Sequence, residues 1–212
     1  GLIIDGKLQF SITSKIDEIT TKKLAESFKH RLEEIINYTS TQTRGYLTVS
    51  DVDNIISQNY LDFLQEPREI EGVYLANSLQ EGFIYHALNQ GDVDDAYRVQ
   101  LIWQYNNSIS ADRLKAAWGY AQRRFSSLRL RFGWKEELVQ VIDKESDIDW
   151  KYIDLSDDLD VTAQELEIKQ IQESDRLKAY QLDQGNLFRI YLIKQAEDLY
   201  TCIFSNHHAI LD

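Results

Sequence analysis

Two apolar runs near the end of the sequence, residues 187–194 and 199–205, are joined by a short turn at Glu197-Asp198. That arrangement predicts a β-hairpin and excludes an all-helical chain. Other segments share the period-2 pattern of strands. Tyr97, Val99, Leu101, Trp103 and Tyr105 alternate with Arg98, Gln100, Ile102 and Gln104, giving a strand with one aromatic face. Leu128, Leu130 and Phe132 alternate with Arg129 and Arg131, and residues 138–142 form a further strand. Helical spacing appears between them. Leu79, Phe83, Ile84 and Leu88 share a face over 78–88, and Leu114, Ala117, Trp118 and Ala121 follow a Ser110 cap. Thr162 and Glu165 form a capping box for a helix reaching about Leu177. Strands and helices interleave irregularly with hairpins among them, so the expected class is α/β of the mixed-sheet, α+β kind.

The first 45 residues differ in texture. An Asp5-Gly6 turn signal separates two apolar stretches, and Leu8, Phe10 and Ile12 alternate as in a half-buried strand. Thr20 or Thr21 offers an N-cap for a helix carrying Leu24, Phe28, Leu32, Ile35 and Ile36 on one side. A polar stretch closing on Gly45 reads as a loop. Ser50 caps a short helix, and the segment LDFLQEPREIEG, with the lone proline Pro67, reads as a linker. The expected organisation is 1–45, a connector over 46–70, and a second segment over 71–212. Eight acids and two lysines between Asp143 and Asp160 read as a solvated loop. The sequence has no methionine, and a strand stands close to each end, so the expectation is a piece of a longer protein.

Charge and composition narrow the function. The net charge of −12 argues against a nucleic acid or an anionic membrane as partner, since both select basic surfaces. No apolar run approaches the roughly 18 residues of a membrane span. The single cysteine, Cys202, excludes an internal disulfide framework, fits a reducing cytoplasm, and reads as a small buried hydrophobe. Trp103, Tyr105, Trp118 and Trp150 read as core rather than as a ligand cage.

His207 and His208 are adjacent at the end of the last strand, with Asp212 four residues after His208. Consecutive strand side chains face opposite ways, so one of the pair at most enters a shared cavity. A neutral imidazole there can take a proton from an attacking nucleophile. An ordinary pair of strand-end polar residues carries equal weight on sequence alone. Zinc ligation is disfavoured by the opposed faces and by the absence of HxxxH or CxxC partners, so no metal is expected. His30 lies on the polar side of its helix and reads as surface. No phosphate-binding loop, GxSxG elbow or GxGxxG occurs.

Three segments carry a resemblance. NHHAILD (206–212) resembles the HHxxxDG signature of the condensation domains of nonribosomal peptide synthetases. RFSSLRLRF (124–132) is similar to that family's second core motif, RHExLRTxF; Arg124, Leu128, Arg129 and Phe132 match, whereas Phe125, Ser126 and Leu130 depart. YLANSLQEGFIYHAL (74–88) resembles the first motif, with Gln80, Gly82 and His86 in place. All three occur in the family's order. The opening residues 1–45 look like the C-terminal tail of an epimerization domain, and SLQEGFIYH is nearer to condensation domains that take a D-configured donor.

The resemblance implies an incomplete chloramphenicol acetyltransferase-like lobe, the N-terminal one of a condensation domain. It implies that His208 is catalytic, that His207 faces away and packs, and that Asp212 forms a structural ion pair with Arg124 or Arg129. Gln80, Gly82 and His86 then line or pack the tunnel. The partners implied are upstream and downstream peptidyl carrier domains, which present 4′-phosphopantetheine arms, and adjacent epimerization and adenylation domains; no cofactor is bound directly. The reaction implied joins a carrier-bound acyl thioester to a carrier-bound amine in the cytoplasm, with the isolated 212 residues inactive. A non-catalytic carrier-docking or scaffold segment, an epimerization-type relative and a stand-alone acyltransferase are the alternatives.

Overall fold

The structure, a computed structural model, describes residues 1–90, 96–157 and 160–211. It divides into two units, Gly1–Gly45 and Tyr46–Asp212.

In the first unit, strands β1 (Leu2–Ile4) and β2 (Lys7–Gln9) form an antiparallel hairpin. Asp5 and Gly6 both have positive φ, 49° and 71°, as a two-residue turn with the twist of a hairpin requires. Pairing stops at Gln9, so Phe10 and Ile12 lie beyond the hairpin and are exposed rather than half-buried in a strand. Helix α1 runs from Glu18 to Ser40. Its cap is Asp17, not Thr20 or Thr21: Asp17 Oδ1 accepts the Thr20 N–H at 2.9 Å. Phe10 meets Phe28 edge-on at 5.1 Å, but no residue of α1 is buried.

The second unit has two sheets. Residues 46–70, expected as a connector, pack into it. A short 3-10 turn at Val49–Val52 follows Thr48, whose N–H donates to Asp51 Oδ2 at 2.7 Å; the helix start read at Ser50 thus lies two residues earlier. Helix α2 (Gln58–Gln65) begins after Ser57, whose Oγ accepts the Tyr60 N–H at 3.2 Å. Val52, Ile56, Tyr60, Leu61 and Leu64 then bury against Val73, Val139 and Val141. These valines belong to an antiparallel sheet of β3 (Ile70–Leu75), β6 (Val139–Asp143) and β5 (Leu130–Gly133), in the order β3-β6-β5.

The larger sheet has the order β4-β9-β8-β7, from β4 (Arg98–Tyr105), β7 (Asp149–Asp154), β8 (Phe188–Ala196) and β9 (Leu199–His207). Its pairs are antiparallel except β7 with β8, which are parallel, so the sheet is mixed. The central strands β8 and β9 read as continuous apolar runs because both of their faces are covered. On one face Phe188, Ile190, Leu192, Cys202 and Phe204 meet α3 (Ser78–Gln90) and α4 (Ala111–Arg124). Trp118 of α4 stacks on Phe204 at 5.1 Å and 10°, and Trp103, Tyr105 and Trp150 pack against the same core. On the other face Tyr191, Ile193 and Ile203 meet Ile168 and Ile171 of α5 (Val161–Leu177). Burial pushes the Cys202 thiol up to about 12, so it stays a neutral core group.

The acidic stretch after Asp143 is not wholly a loop, because β7 runs through it at the sheet edge. An edge strand keeps one side wet and tolerates acids such as Asp149 and Asp154 at its ends, which hides it from a charge-based reading. The cap of α5 is Asp160, whose Oδ1 accepts the Ala163 N–H at 2.8 Å, and not the box begun by Thr162.

Candidate active site

β9 delivers both histidines. It pairs with β4 up to Arg98↔His207, and the His207 N–H donates to Leu187 O at 2.9 Å. Strand alternation then separates the two rings. His207 is buried at 5% exposure, while His208 is partly exposed on a 3-10 turn, His208–Ile210. The His208 N–H donates to Tyr97 O at 2.7 Å. Tyr97 reaches that position with φ +66°, a left-handed conformation that costs a non-glycine residue about 1–2 kcal/mol.

The two imidazoles are held in opposite tautomers. His208 Nδ1 lies 2.7 Å from Leu211 O, and a carbonyl oxygen can only accept, so Nδ1 carries the proton. Nε2 keeps its lone pair and has no partner among the described residues. Phe83 stacks on the ring at 5.0 Å and 30°. His207 Nδ1 instead accepts the Ala209 N–H at 3.2 Å, so its lone pair is spent inside the turn. Burial, with the charge of Arg98 adding to it, pulls His207 down to about 4 and keeps it neutral.

The first motif sits on α3, which packs on this turn. Asn77 and Gln80 cap its start reciprocally: the Asn77 N–H donates to Gln80 Oε1 at 3.0 Å, and the Gln80 N–H to Asn77 Oδ1 at 2.8 Å. Buried Gln80 also donates through Nε2 to Ala209 O at 3.2 Å and to Gln140 Oε1 at 3.3 Å. His86 meets Tyr97 edge-on at 5.0 Å. A Cβ added at Gly82 would meet nothing within 4 Å, so packing among the described residues does not demand glycine there.

The second motif serves the frame. Arg124, exposed at the end of α4, lies 5.8 Å over the Phe125 ring. Arg129 is buried; it pairs with Glu71 at 2.6 Å and donates to the carbonyls of Gln122, Asp143 and Lys144. Glu71 reaches it from an irregularity in β3, where the pairing register shifts between Ile70 and Gly72. Asp212, expected to pair with Arg124 or Arg129, lies outside the described residues. Next to Arg129, Arg131 Nε and Arg68 Nη1 each bond Asp143 at 2.9 Å.

A polar cluster lies beside His207. Tyr180 meets the His207 ring edge-on at 6.2 Å, and its hydroxyl shares a 3.0 Å hydrogen bond with Ser205 Oγ. Asp175 of α5 accepts from Arg189 Nε at 2.6 Å, Gln100 Nε2 at 2.8 Å and the Tyr191 hydroxyl at 2.9 Å. Burial raises the Asp175 carboxyl, but bonds from Ser205 and Gln100 and the Arg189 guanidinium bring it below the usual carboxylate range. Burial pushes the Tyr180 hydroxyl up to about 12. The one sequence signal was a charged residue, Arg189, inside an otherwise apolar run. Among the described residues no three His, Cys, Asp or Glu side chains gather as metal ligands would, and no helix is long and apolar enough to cross a membrane.

The arrangement presents one imidazole with a fixed tautomer and an Nε2 without a partner among the described residues, backed by a neutral, buried neighbour. Comparison with known proteins gives the family. The family model described as Condensation domain matches residues 70–212. N-(5-amino-5-carboxypentanoyl)-L-cysteinyl-D-valine synthase of Penicillium rubens is 40% identical over 151 residues, 71% of this chain and 4% of that protein. Bacitracin synthase 3 of Bacillus licheniformis is 30% identical over 198 residues, 91% of this chain and 3% of its own length. The chain thus spans only a few hundredths of the curated relatives it matches. The solved starter condensation domain of rhizomide synthetase superposes with a TM-score of 0.58 at 21% identity, over 66% of this chain and 34% of that one. That likeness establishes the fold, a chloramphenicol acetyltransferase-like lobe. The chain belongs to the condensation-domain family of nonribosomal peptide synthetases.

Proposed function

We propose that this chain supplies the catalytic-histidine lobe of a peptide-bond-forming condensation domain. The observation that carries the reading is His208, with Nδ1 committed to Leu211 O and Nε2 without a partner among the described residues. The substrates are an acyl thioester on the 4′-phosphopantetheine arm of an upstream carrier domain and an amine on the arm of a downstream one. The neutral amine attacks the thioester carbonyl carbon, so a C–N bond forms and the C–S bond breaks. The amine's surplus proton passes to His208 Nε2 and then to the departing sulfur, which leaves as a thiol. The thioester is already activated, so alignment of amine and carbonyl supplies much of the rate.

Residues 1–45 are read as the tail of an epimerization-type domain, 46–70 as the connector packed on the lobe, and 71–212 as the lobe. The SLQEGFIYH form of the first motif supports a D-configured donor. Asp212 is read as the structural acid of its motif, partnered by Arg124 or Arg129, and adenylation domains load the carriers in the cytoplasm. The test is a condensation assay on the complete synthetase, with D- and L-configured donors loaded on the upstream carrier. Replacing His208 by Ala should abolish product; product at the wild-type rate would overturn the reading, and equal use of both donors would overturn the D-donor assignment.

A further inference from the structure

The two peptide groups that flank the Ala209 Cα are each held by a buried side chain. Ala209 donates its N–H to His207 Nδ1 at 3.2 Å, and its carbonyl accepts from Gln80 Nε2 at 3.2 Å. The same turn closes on the reactive ring, because His208 Nδ1 donates to Leu211 O. Any shift of Ala209 therefore moves both the His208 backbone and the carbonyl that sets its tautomer.

Gln80 cannot satisfy its bonds in another orientation. Its Oε1 accepts the Asn77 N–H at 3.0 Å, which turns Nε2, the donor, toward Ala209 O and Gln140 Oε1. A flipped amide would set oxygen against oxygen at Ala209 and nitrogen against N–H at Asn77. Residue 83 follows Gln80 by three positions, so it lies on the same helical face, and its ring stacks on His208 at 5.0 Å. One helix thus holds the turn through a polar contact and the ring through an aromatic one. At 7% exposure, Gln80 makes its contact where water cannot replace it cheaply.

We propose that Gln80 is a positioning residue for His208: it fixes the turn that holds the imidazole with its proton on Nδ1 and its lone pair on Nε2. The role rests on the reading of His208 as the reacting imidazole. It acts through the Ala209 carbonyl and touches no reacting atom.

The test uses the complete synthetase with both carriers loaded, comparing wild type, Gln80→Met, Gln80→Glu and His208→Ala. Gln80→Met keeps length and loses every polar contact. Gln80→Glu keeps the acceptor for the Asn77 N–H and loses the donor to Ala209 O and Gln140 Oε1, so it stands in if the methionine variant melts too low to assay. The expected result is a fall in kcat of about 10- to 100-fold in both, with half-saturating carrier concentration changed by less than about twofold. Nitrogen-15 histidine spectra should show the proton of His208 leaving Nδ1 for a mixture of tautomers. Wild-type kcat in both Gln80 variants, with His208→Ala inactive, would overturn the positioning role and leave the reading of His208 intact. A fully active His208→Ala would instead overturn that reading, and an unchanged His208 tautomer in the Gln80 variants would then overturn the positioning role as well.

Discussion

Helix α1 of the first unit carries an apolar face, and strands β8 and β9 of the second are apolar runs, yet the two meet opposite fates. Leu24, Phe28, Ile35 and Ile36 of α1 are all 44% exposed or more, whereas Ile190, Leu192, Ile193, Cys202 and Ile203 have no exposed surface at all. Periodicity alone therefore says which face of an element is apolar, and burial depends on a second element to cover it. The second unit supplies that cover twice over, with α3 and α4 on one face of its sheet and α5 on the other. It also buries charge. Arg131 with Asp143 and Arg189 with Asp175 are pairs in which every member is less than a tenth exposed, and each is completed by further hydrogen bonds. Pairs along α1 of the first unit, such as Lys29 with Glu33, are exposed and contribute little.

The sharpest way to break this contrast is to remove a buried charge. Asp143→Ala strands Arg131 and leaves Arg68 without its acid, and losing one partner of a buried pair typically costs about 3–5 kcal/mol. Urea melts of the 212-residue chain should show that loss; a change below about 1 kcal/mol would mean these pairs are not integral to the core. Slightly smaller is Leu192→Ala, at the centre of the sheet, where a large-to-small change costs about 3–4 kcal/mol.

Acid tests the second unit from its histidine end. His207 titrates near 4 when folded, below its ordinary value of 6.5. Between those values the unfolded chain binds more protons, so stability rises with pH across this window. The contribution is fully present above about 6.5 and is lost as pH falls toward 4, amounting to as much as about 3 kcal/mol. Protonation also removes the acceptor of the Ala209 N–H, so the His208 turn should loosen in the same range. His207→Gln should flatten that part of the stability-against-pH curve; an unchanged slope would place the titration elsewhere.

Local pattern made much of this legible. The strands at 97–105 and the final hairpin, the helix after Ser110, and the motifs bearing Gln80 and His208 all stand out from short-range spacing. What stayed hidden depends on distant partners. β7 is a strand because β8 lies beside it, and its own acids point to a loop. The caps at Asp17, Thr48 and Asp160 each compete with a second good capping residue two or three positions on, and only the hydrogen bond decides. Arg129 also bonds Glu71, 58 residues before it, a pairing that no local spacing in the sequence signals. Asp175 gave no signal, since Gln100 and Arg189 come from two other elements.

The smallest effect expected lies in the first unit and is the control for the rest. Leu24→Ala in α1 removes a side chain that is 51% exposed, from a helix in which nothing is buried. Little transfer free energy is lost, and alanine is the better helix former, so the two changes nearly cancel. Stability of the 212-residue chain should move by less than about 0.5 kcal/mol. Amide exchange should agree, with α1 opening at far lower free energy than β8 and β9, because its hydrogen bonds lack a packed cover. If Leu24→Ala instead cost as much as Leu192→Ala, the apolar face of α1 would be covered in solution, and the contrast between the two units would fail.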